Sequence, residues 1–126
     1  MPKILVIDDN KALREQLVEI LKHAGHTAVA TDNGLEALKI VRADPIDLIL
    51  TDILMPYDGL AMIRILHSEF PKIGIIAMSG AGAHRLDYAR SGGAQVTLLK
   101  PFSAEQLSTA ITEVLSRNAA PQPGQT

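Results

Sequence analysis

The sequence predicts an α/β fold in which a doubly wound, five-stranded parallel sheet is covered by five helices on its two faces. Short apolar runs of strand length alternate along the chain with longer segments whose apolar residues recur at helical spacing. This alternation is typical of parallel strands that are connected by helices. Several of the short runs contain no polar residue, as expected for strands that are buried on both faces.

Five segments are predicted to be strands. They comprise residues 4–7, 27–31, 48–52, 73–78 and 96–99. The second is more polar than the others, which suits a position at the edge of the sheet. The third carries Asp52 at its end, and Pro56 and Gly59 turn the chain soon afterwards.

The segments between the strands are predicted to be helices. The first has its apolar residues on one face and stops at Gly25, and the second ends before Asp44. The third begins near Asp58, and the fourth is poorly amphipathic and closes at residues 92–93. The fifth follows Ser103, which with Gln106 three residues later forms a capping-box pattern. The apolar faces of the first, second, third and fifth helices comprise Leu13, Leu17, Ile20, Leu21 and Ala24; Leu35, Leu38 and Val41; Leu60, Ile63 and Leu66; and Leu107, Ile111, Val114 and Leu115.

The composition is that of one ordinary domain and excludes several kinds of site. Of 126 residues, 47% are hydrophobic and 3% aromatic, so the core is expected to be aliphatic. The net charge of −2 offers no concentrated positive charge for direct nucleic-acid binding. The absence of cysteine excludes disulfides and thiolate ligands.

No segment is predicted to enter a membrane, and we place the protein in the cytoplasm. The longest apolar runs are about four residues, whereas a membrane-spanning helix needs roughly 20. Two acids interrupt the first apolar run, so the N-terminus is not expected to be a signal peptide. One domain is expected over residues 1–117. Residues 118–126 lack apolar periodicity and are expected to form a disordered tail or linker remnant.

Four of the five predicted strands end in polar groups that suit a reactive site. These groups are the pair Asp8 and Asp9, then Asp52, Ser79 and Lys100. Each has an ordinary structural explanation on its own, as a helix-capping acid, a turn residue or a solvated charge. Because parallel strands end at the same edge of a sheet, where α/β proteins form their sites, the four positions together indicate a functional site.

The sequence around these strand-end residues resembles the response-regulator receiver domain (CheY-like) of two-component signalling systems. Five motifs match in order within residues 3–117: Val-Ile-Asp-Asp-Asn, Leu-Ile-Leu-Thr-Asp-Ile-Leu-Met-Pro, Ala-Met-Ser-Gly, Gly-Gly-Ala and Leu-Leu-Lys-Pro-Phe. The resemblance implies the flavodoxin-like strand order 2-1-3-4-5, in which the first and third strands are neighbours. It also implies a cis bond between Lys100 and Pro101.

The resemblance assigns a role to each strand-end residue. It implies that Asp52 is the phosphoacceptor, that Lys100 is the cation opposite it, and that the Ser79 hydroxyl meets a phosphoryl oxygen. It further implies a Mg²⁺ site whose ligands come from Asp8, Asp9, Asp52 and the backbone carbonyl of Leu54. A carboxylate is a competent nucleophile for phosphorus, and Mg²⁺ prefers oxygen ligands. Two carboxylates ~4 Å apart repel by about 4 kcal/mol at an effective dielectric of ~20, and a dication relieves that repulsion.

The implied function is that of a signalling phosphoacceptor and not of an enzyme, although the domain assists its own phosphorylation and dephosphorylation. The phosphoryl donor is expected to be a histidine kinase or a histidine phosphotransfer protein. The phosphorylated domain is expected to switch the binding of a downstream protein target or of a fused output domain. The resemblance is compatible with a homodimer. From the net charge and the short apolar runs, no direct contact with nucleic acid or membrane is expected.

Two features depart from the family pattern. Thr97 stands three residues before Lys100, where receiver domains usually carry Tyr or Phe, so the switch implied for Ser79 and Thr97 must relay its signal differently. The loop over residues 55–59 is one residue shorter than the usual Met-Pro-x-Met-Asp-Gly, which affects local geometry only.

The sequence disfavours three other functions that are known for related sheets or loops. A flavin-binding domain is disfavoured because the acids after the first strand would repel a phosphate, and an aspartyl-phosphate hydrolase because Asp-x-Asp is missing there. Residues 80–82 lack the third glycine of a dinucleotide-binding loop. An interaction module on the same fold that works without phosphorylation stays open as the alternative.

Overall fold

Five strands alternate with five helices in a computed structural model that describes residues 2–53, 59–80 and 83–119. The strands are β1 (Lys3–Ile7), β2 (Thr27–Thr31), β3 (Leu48–Asp52), β4 (Gly74–Ser79) and β5 (Val96–Leu99). The helices are α1 (Lys11–His23), α2 (Gly34–Ala43), α3 (Gly59–Glu69), α4 (Ala83–Gly92) and α5 (Ala104–Ala119). The predicted fold class is therefore confirmed. Over these ranges, none of the helices combines the length and apolar character that crossing a bilayer requires.

All five strands are parallel and follow the order β2-β1-β3-β4-β5, which confirms the order implied by the family resemblance. The register aligns the carboxyl ends of the strands. Ile7 of β1 lies opposite Thr51 of β3, and Asp52 lies opposite Met78 of β4. Ser79 at the end of β4 lies opposite Leu99 of β5. The polar residues at these strand ends are thus brought to one edge of the sheet.

Alternate residues of the central strands enter two apolar clusters, one on each face of the sheet. In β3, Leu48 and Leu50 pack with residues of α1 and α5, whereas Ile49 packs with residues of α2, α3 and α4. Every residue of β3 and β4 is buried, and the edge strands β2 and β5 are partly exposed. Since full burial of one Leu or Ile side chain contributes about 1.5–3 kcal/mol, an aliphatic core can hold this sheet in place.

Side-chain caps fix where α1 and α5 begin. The Asn10 Oδ1 accepts a hydrogen bond from the backbone N–H of Leu13 at 3.1 Å, which starts α1 directly after the first acidic pair. At α5 the predicted capping box is confirmed: the Ser103 Oγ accepts from the Gln106 N–H at 3.0 Å, and the Gln106 Oε1 accepts from the Ser103 N–H at 2.8 Å. These bonds satisfy amides that a helix start leaves unpaired.

Several predicted boundaries differ from the structure by one or two residues. β1 begins at Lys3, one residue earlier than predicted, and β4 ends at Ser79, one residue later. β4 begins at Gly74 because the backbone N–H of Ile73 donates to the carbonyl of Phe70 at 3.0 Å and so belongs to the turn after α3. α5 continues to Ala119, past the expected boundary at residue 117, and the Asn118 Oδ1 accepts a hydrogen bond from Gln95 Nε2 at 3.1 Å. The rest of the expected tail, residues 120–126, lies outside the described residues.

Candidate functional site

Asp8 and Asp52 are placed side by side by the register of the two central strands. Ile7 lies opposite Thr51, so the next residue of each chain segment continues the same alignment. The alternation of side chains puts both acids on the sheet face that packs against α1 and α5, because Val6 and Leu50, two residues earlier, belong to that cluster. Asp8 is fully buried and Asp52 is 5% exposed, so both carboxylates depend on partners within the protein.

Lys100 supplies a positive charge to both of these carboxylates. Its Nζ lies 3.0 Å from the Asp52 Oδ2 and 3.1 Å from the Asp8 Oδ2. Its backbone N–H donates to the carbonyl oxygen of Ser79 at 2.8 Å, which ties the end of β5 to the end of β4. The Lys100–Pro101 bond is cis, as the resemblance implies.

The pKa of Lys100 is set by two opposing effects. Burial lowers the pKa, but hydrogen bonds to Asp52 and Asp8 and attraction to their charges outweigh it, so the pKa is raised from its ordinary value of 10.5. The side chain therefore remains an ammonium at neutral pH.

Three carboxylates converge beside this ammonium. One oxygen each from Asp8, Asp9 and Asp52 lies within 4.8 Å of the others, and Asp9 is the exposed member of the group. With Lys100 included, the cluster has a formal charge of −2, which a divalent cation would balance. Mg²⁺ binds through one or two carboxylates while keeping several waters, so a set of oxygen donors that is open to solvent on one side fits it.

The loop that carries Asp8 and Asp9 is held by hydrogen bonds to its backbone. The Asp8 N–H donates to the Thr31 carbonyl at 3.2 Å, and its Oδ1 accepts from the Asn10 N–H at 2.9 Å. Its carbonyl oxygen accepts from the Arg14 Nη1 at 2.7 Å. Arg14 is not among the site residues predicted from the sequence. The sequence does show an arginine near the start of an amphipathic helix, six residues after the first acid. This spacing alone does not show which group the side chain contacts.

Three predicted site residues remain, namely Ser79, Thr97 and Leu54. Ser79 is fully buried at the end of β4, next to Lys100. Thr97 lies within β5, partly buried, and its Oγ1 accepts a hydrogen bond from the Arg90 Nη2 of α4 at 3.0 Å. Leu54 lies outside the described residues. The structure thus brings the acids, Lys100 and Ser79 to one edge, and bonds Thr97 to a neighbouring helix.

Comparison with known proteins agrees with this geometry. The family model of the response regulator receiver domain matches residues 4–112. Response regulator protein FleR of Pseudomonas aeruginosa is 33% identical over 122 residues, which cover 95% of this chain and 25% of FleR. Response regulator MprA of Mycobacterium ulcerans is 33% identical over 117 residues, which cover 91% of this chain and 50% of MprA. The chain therefore spans between a quarter and a half of the length of these curated relatives.

A solved structure supports the same assignment. Response regulator protein TrrA from Thermotoga maritima, in complex with Mg²⁺-BeF, is 30% identical and superposes with a TM-score of 0.84 over 91% of this chain and 100% of that chain. Family model, sequence relatives and fold all agree, and the chain belongs to the response regulator receiver domains of two-component systems.

Proposed function

We propose that this chain is the phosphoacceptor of a two-component phosphorelay and receives a phosphoryl group on Asp52 from a histidine kinase or a histidine phosphotransfer protein. The observation that supports this most strongly is the position of Asp52. One of its carboxylate oxygens lies 3.0 Å from the Lys100 Nζ, and its side chain also belongs to the cluster with Asp8 and Asp9. A nucleophile between an ammonium and a cation site suits the transfer of a highly charged phosphoryl group.

The transfer step needs one bond to form and one to break. A carboxylate oxygen of Asp52 bonds to phosphorus as the bond from phosphorus to the donor's imidazole nitrogen breaks, and that nitrogen keeps the electron pair. The Lys100 ammonium, which contacts Asp52, is positioned to stabilise charge on one phosphoryl oxygen. Ser79 lies beside Lys100, where its hydroxyl can donate to a second oxygen.

We further propose that Asp8, Asp9 and Asp52 hold Mg²⁺, together with the backbone carbonyl of Leu54. A bound Mg²⁺ supplies positive charge to the phosphoryl oxygens. The convergence of the three carboxylates within 4.8 Å supports this ligand set. The TrrA complex with Mg²⁺-BeF supports it from a relative of the same fold.

We propose that Ser79 and Thr97 both take part in the conformational switch, and that Ser79 contributes more than Thr97. Ser79 lies at the site, and we expect it to move toward the phosphoryl group. Thr97 has no ring to turn inward, and its hydroxyl is bonded to Arg90. Because a ligand shifts an equilibrium only by its differential affinity for the two states, a smaller rearrangement of β5 gives weaker coupling to partner binding.

The switch proposal is tested by NMR with and without beryllofluoride and Mg²⁺, which together mimic the phosphoryl group. Amide shifts at Ser79 and Gly80 should exceed the shift at Thr97. A response centred on Thr97 would contradict the proposal.

The phosphorylated chain is proposed to regulate a downstream protein target or an output domain in the same polypeptide, in the cytoplasm. The curated relatives support a fused output domain, because FleR and MprA extend well beyond the part that this chain matches.

Covalent labelling tests the main proposal. Incubation with a small acyl phosphate and Mg²⁺ should add one phosphoryl group, which intact-mass spectrometry detects. Asp52→Asn should remain unlabelled, whereas Asp87→Asn, which changes an exposed acid on α4, should be labelled like wild type. Labelling of Asp52→Asn at the wild-type rate would refute the residue assignment. A folded wild type that takes up no label would favour the interaction module that works without phosphorylation.

The metal proposal has its own test in Asp9→Asn. This change removes one charged ligand, and we expect Mg²⁺ binding to weaken by about tenfold or more, since even outer-shell changes weaken metal sites 10- to 100-fold. Without metal, stability should rise or stay level because repulsion between the acids is relieved. Isothermal titration calorimetry measures the affinity, and an unchanged value would count against Asp9 as a ligand.

A further inference from the structure

Arg14 reaches back from α1 to the loop that carries the first two acids. Its Nη1 donates to the backbone carbonyl oxygen of Asp8 at 2.7 Å. This is a charge-assisted hydrogen bond, shorter than the ~2.9–3.0 Å of an ordinary N–H···O bond. The acceptor belongs to the main chain and not to a carboxylate, so the contact fixes geometry more than it neutralises the acid cluster.

The position of that carbonyl determines the position of Asp9. The peptide group between Asp8 and Asp9 is planar, so holding its carbonyl also orients the Asp9 N–H and the Cα from which the Asp9 carboxylate extends. Asp9 is exposed, and packing around its side chain does little to hold it. The bonds from Asp8 to Thr31 and Asn10 fix the start of this loop, and Arg14 fixes the peptide that leads into Asp9.

We infer that Arg14 is a positioning residue for the divalent-cation site, which holds the Asp9 carboxylate at the separation from Asp8 and Asp52 that the cation needs. The inference rests on the proposed function, because it takes the acid cluster to be the Mg²⁺ site. Within that site Arg14 acts through the backbone and does not contact the cation.

A geometric role and a purely electrostatic role predict opposite results. A guanidinium near a cation site repels the cation, so removing its charge alone would tighten Mg²⁺ binding. Removing its hydrogen bond frees the Asp8–Asp9 peptide and would weaken Mg²⁺ binding. The sign of the change in affinity therefore separates the two roles.

Calorimetric titration with MgCl₂ compares wild type with Arg14→Met, Arg14→Lys and a control. Arg14→Met keeps much of the apolar stem but loses both the charge and the donor, and we expect Mg²⁺ binding to weaken about tenfold. Arg14→Lys keeps a charge and a donor, and we expect recovery to within about threefold of wild type, since the observed contact uses one N–H group.

The matched control is Arg42→Met, which removes an exposed arginine of α2 that pairs with Glu69 of α3 at 3.1 Å. Its Mg²⁺ affinity should equal that of wild type. Unchanged or tighter binding in Arg14→Met would overturn the inference.

A second measurement needs no metal. Amide hydrogen exchange at Asp9 and Asn10 should be faster in Arg14→Met than in wild type and unchanged in Arg42→Met. Equal exchange rates in Arg14→Met and wild type would also overturn the inference. If Arg14→Met does not fold, Arg14→Gln replaces it, because its side chain is too short to bridge the same distance, and the same results are expected.

Asp9→Asn separates failure of the inference from failure of the proposed function. If wild type does not bind Mg²⁺, the proposed function fails and the inference fails with it. If wild type binds Mg²⁺ and Asp9→Asn binds it weakly, while Arg14→Met binds it normally, only the inference about Arg14 fails.

Discussion

β3 and β5 each deliver one charged group to the site, yet they differ in nearly every other respect. β3 lies at the centre of the sheet between β1 and β4, and all of its residues are buried. β5 lies at the edge with one neighbour, and all of its residues are at least partly exposed. Asp52 thus ends a central strand that is buried throughout, and Lys100 follows an edge strand that is partly exposed.

Because of this difference, the proposed phosphoacceptor lies on a buried strand, whereas the lysine lies next to residues on the protein surface. β3 has no exposed residue, so a change at Asp52 reaches the surface only through its neighbours. In β5, Leu99 is 51% exposed, and the Thr97 hydroxyl is bonded to Arg90. Because Lys100 directly follows this strand, a movement of Lys100 can change a surface that a partner contacts. We therefore expect truncation of the aliphatic side chains of β3 to act on stability, and replacement of Lys100, which follows β5, to act on phosphoryl transfer.

The largest effect is expected from a matched pair of leucine truncations. Leu50→Ala in β3 removes a fully buried side chain and should lower the free energy of unfolding by about 2–5 kcal/mol. Leu99→Ala in β5 should change it by no more than about 0.5 kcal/mol. Chemical denaturation measures both values. Equal losses would show that the edge strand is as tightly packed in solution as the central one.

Replacing the lysine should slow transfer strongly. Lys100→Met removes the ammonium that contacts Asp52, and labelling by an acyl phosphate should slow roughly a hundredfold or more, as when one preorganised donor to a developing charge is removed. Lys39→Met, a change to an exposed lysine of α2, is the control and should label normally. Initial rates by mass spectrometry at saturating Mg²⁺ provide the comparison. A fast Lys100→Met variant would exclude an electrostatic role for this side chain.

A smaller effect is expected between β5 and α4. A double-mutant cycle of Thr97→Val and Arg90→Met isolates their hydrogen bond, which is exposed, so the coupling energy should be about 0.5–1 kcal/mol. Labelling of Asp52 should not change in either single variant. A coupling energy of zero would mean that this contact is not maintained in solution, and a slower transfer would link Thr97 to the chemistry.

The smallest effect concerns alkaline pH. Because the pKa of Lys100 is raised in the folded state, its contribution to stability is fully present below pH 10.5 and is lost as the pH rises through the higher folded value. Wild type should therefore lose more stability than Lys100→Met as the pH rises above 10.5. Denaturation at a series of pH values tests this, with Lys39→Met as a control for the other lysines. Parallel curves for wild type and Lys100→Met would contradict it.

The sequence by itself determined the elements, their order and the identity of the strand-end acids. Apolar periodicity, the Ser103 cap and the residues before each turn are local properties, since helical and strand spacing act over a few neighbouring residues. The spacing of five motifs then pointed to the family and, through it, to the strand order and the cis bond before Pro101, which the structure confirms.

Only the tertiary structure decided which residues of the site contact one another. Lys100 meets an acid 92 positions away in Asp8 and another 48 positions away in Asp52, and these contacts depend on the register between strands that are distant in sequence. The same is true of Arg14, which turns back to a carbonyl instead of into solvent, and of Thr97, whose hydroxyl is bonded to Arg90. Periodicity fixes which face of an element a residue occupies, but the partner of a long flexible side chain is set by what the packing of other elements places within its reach.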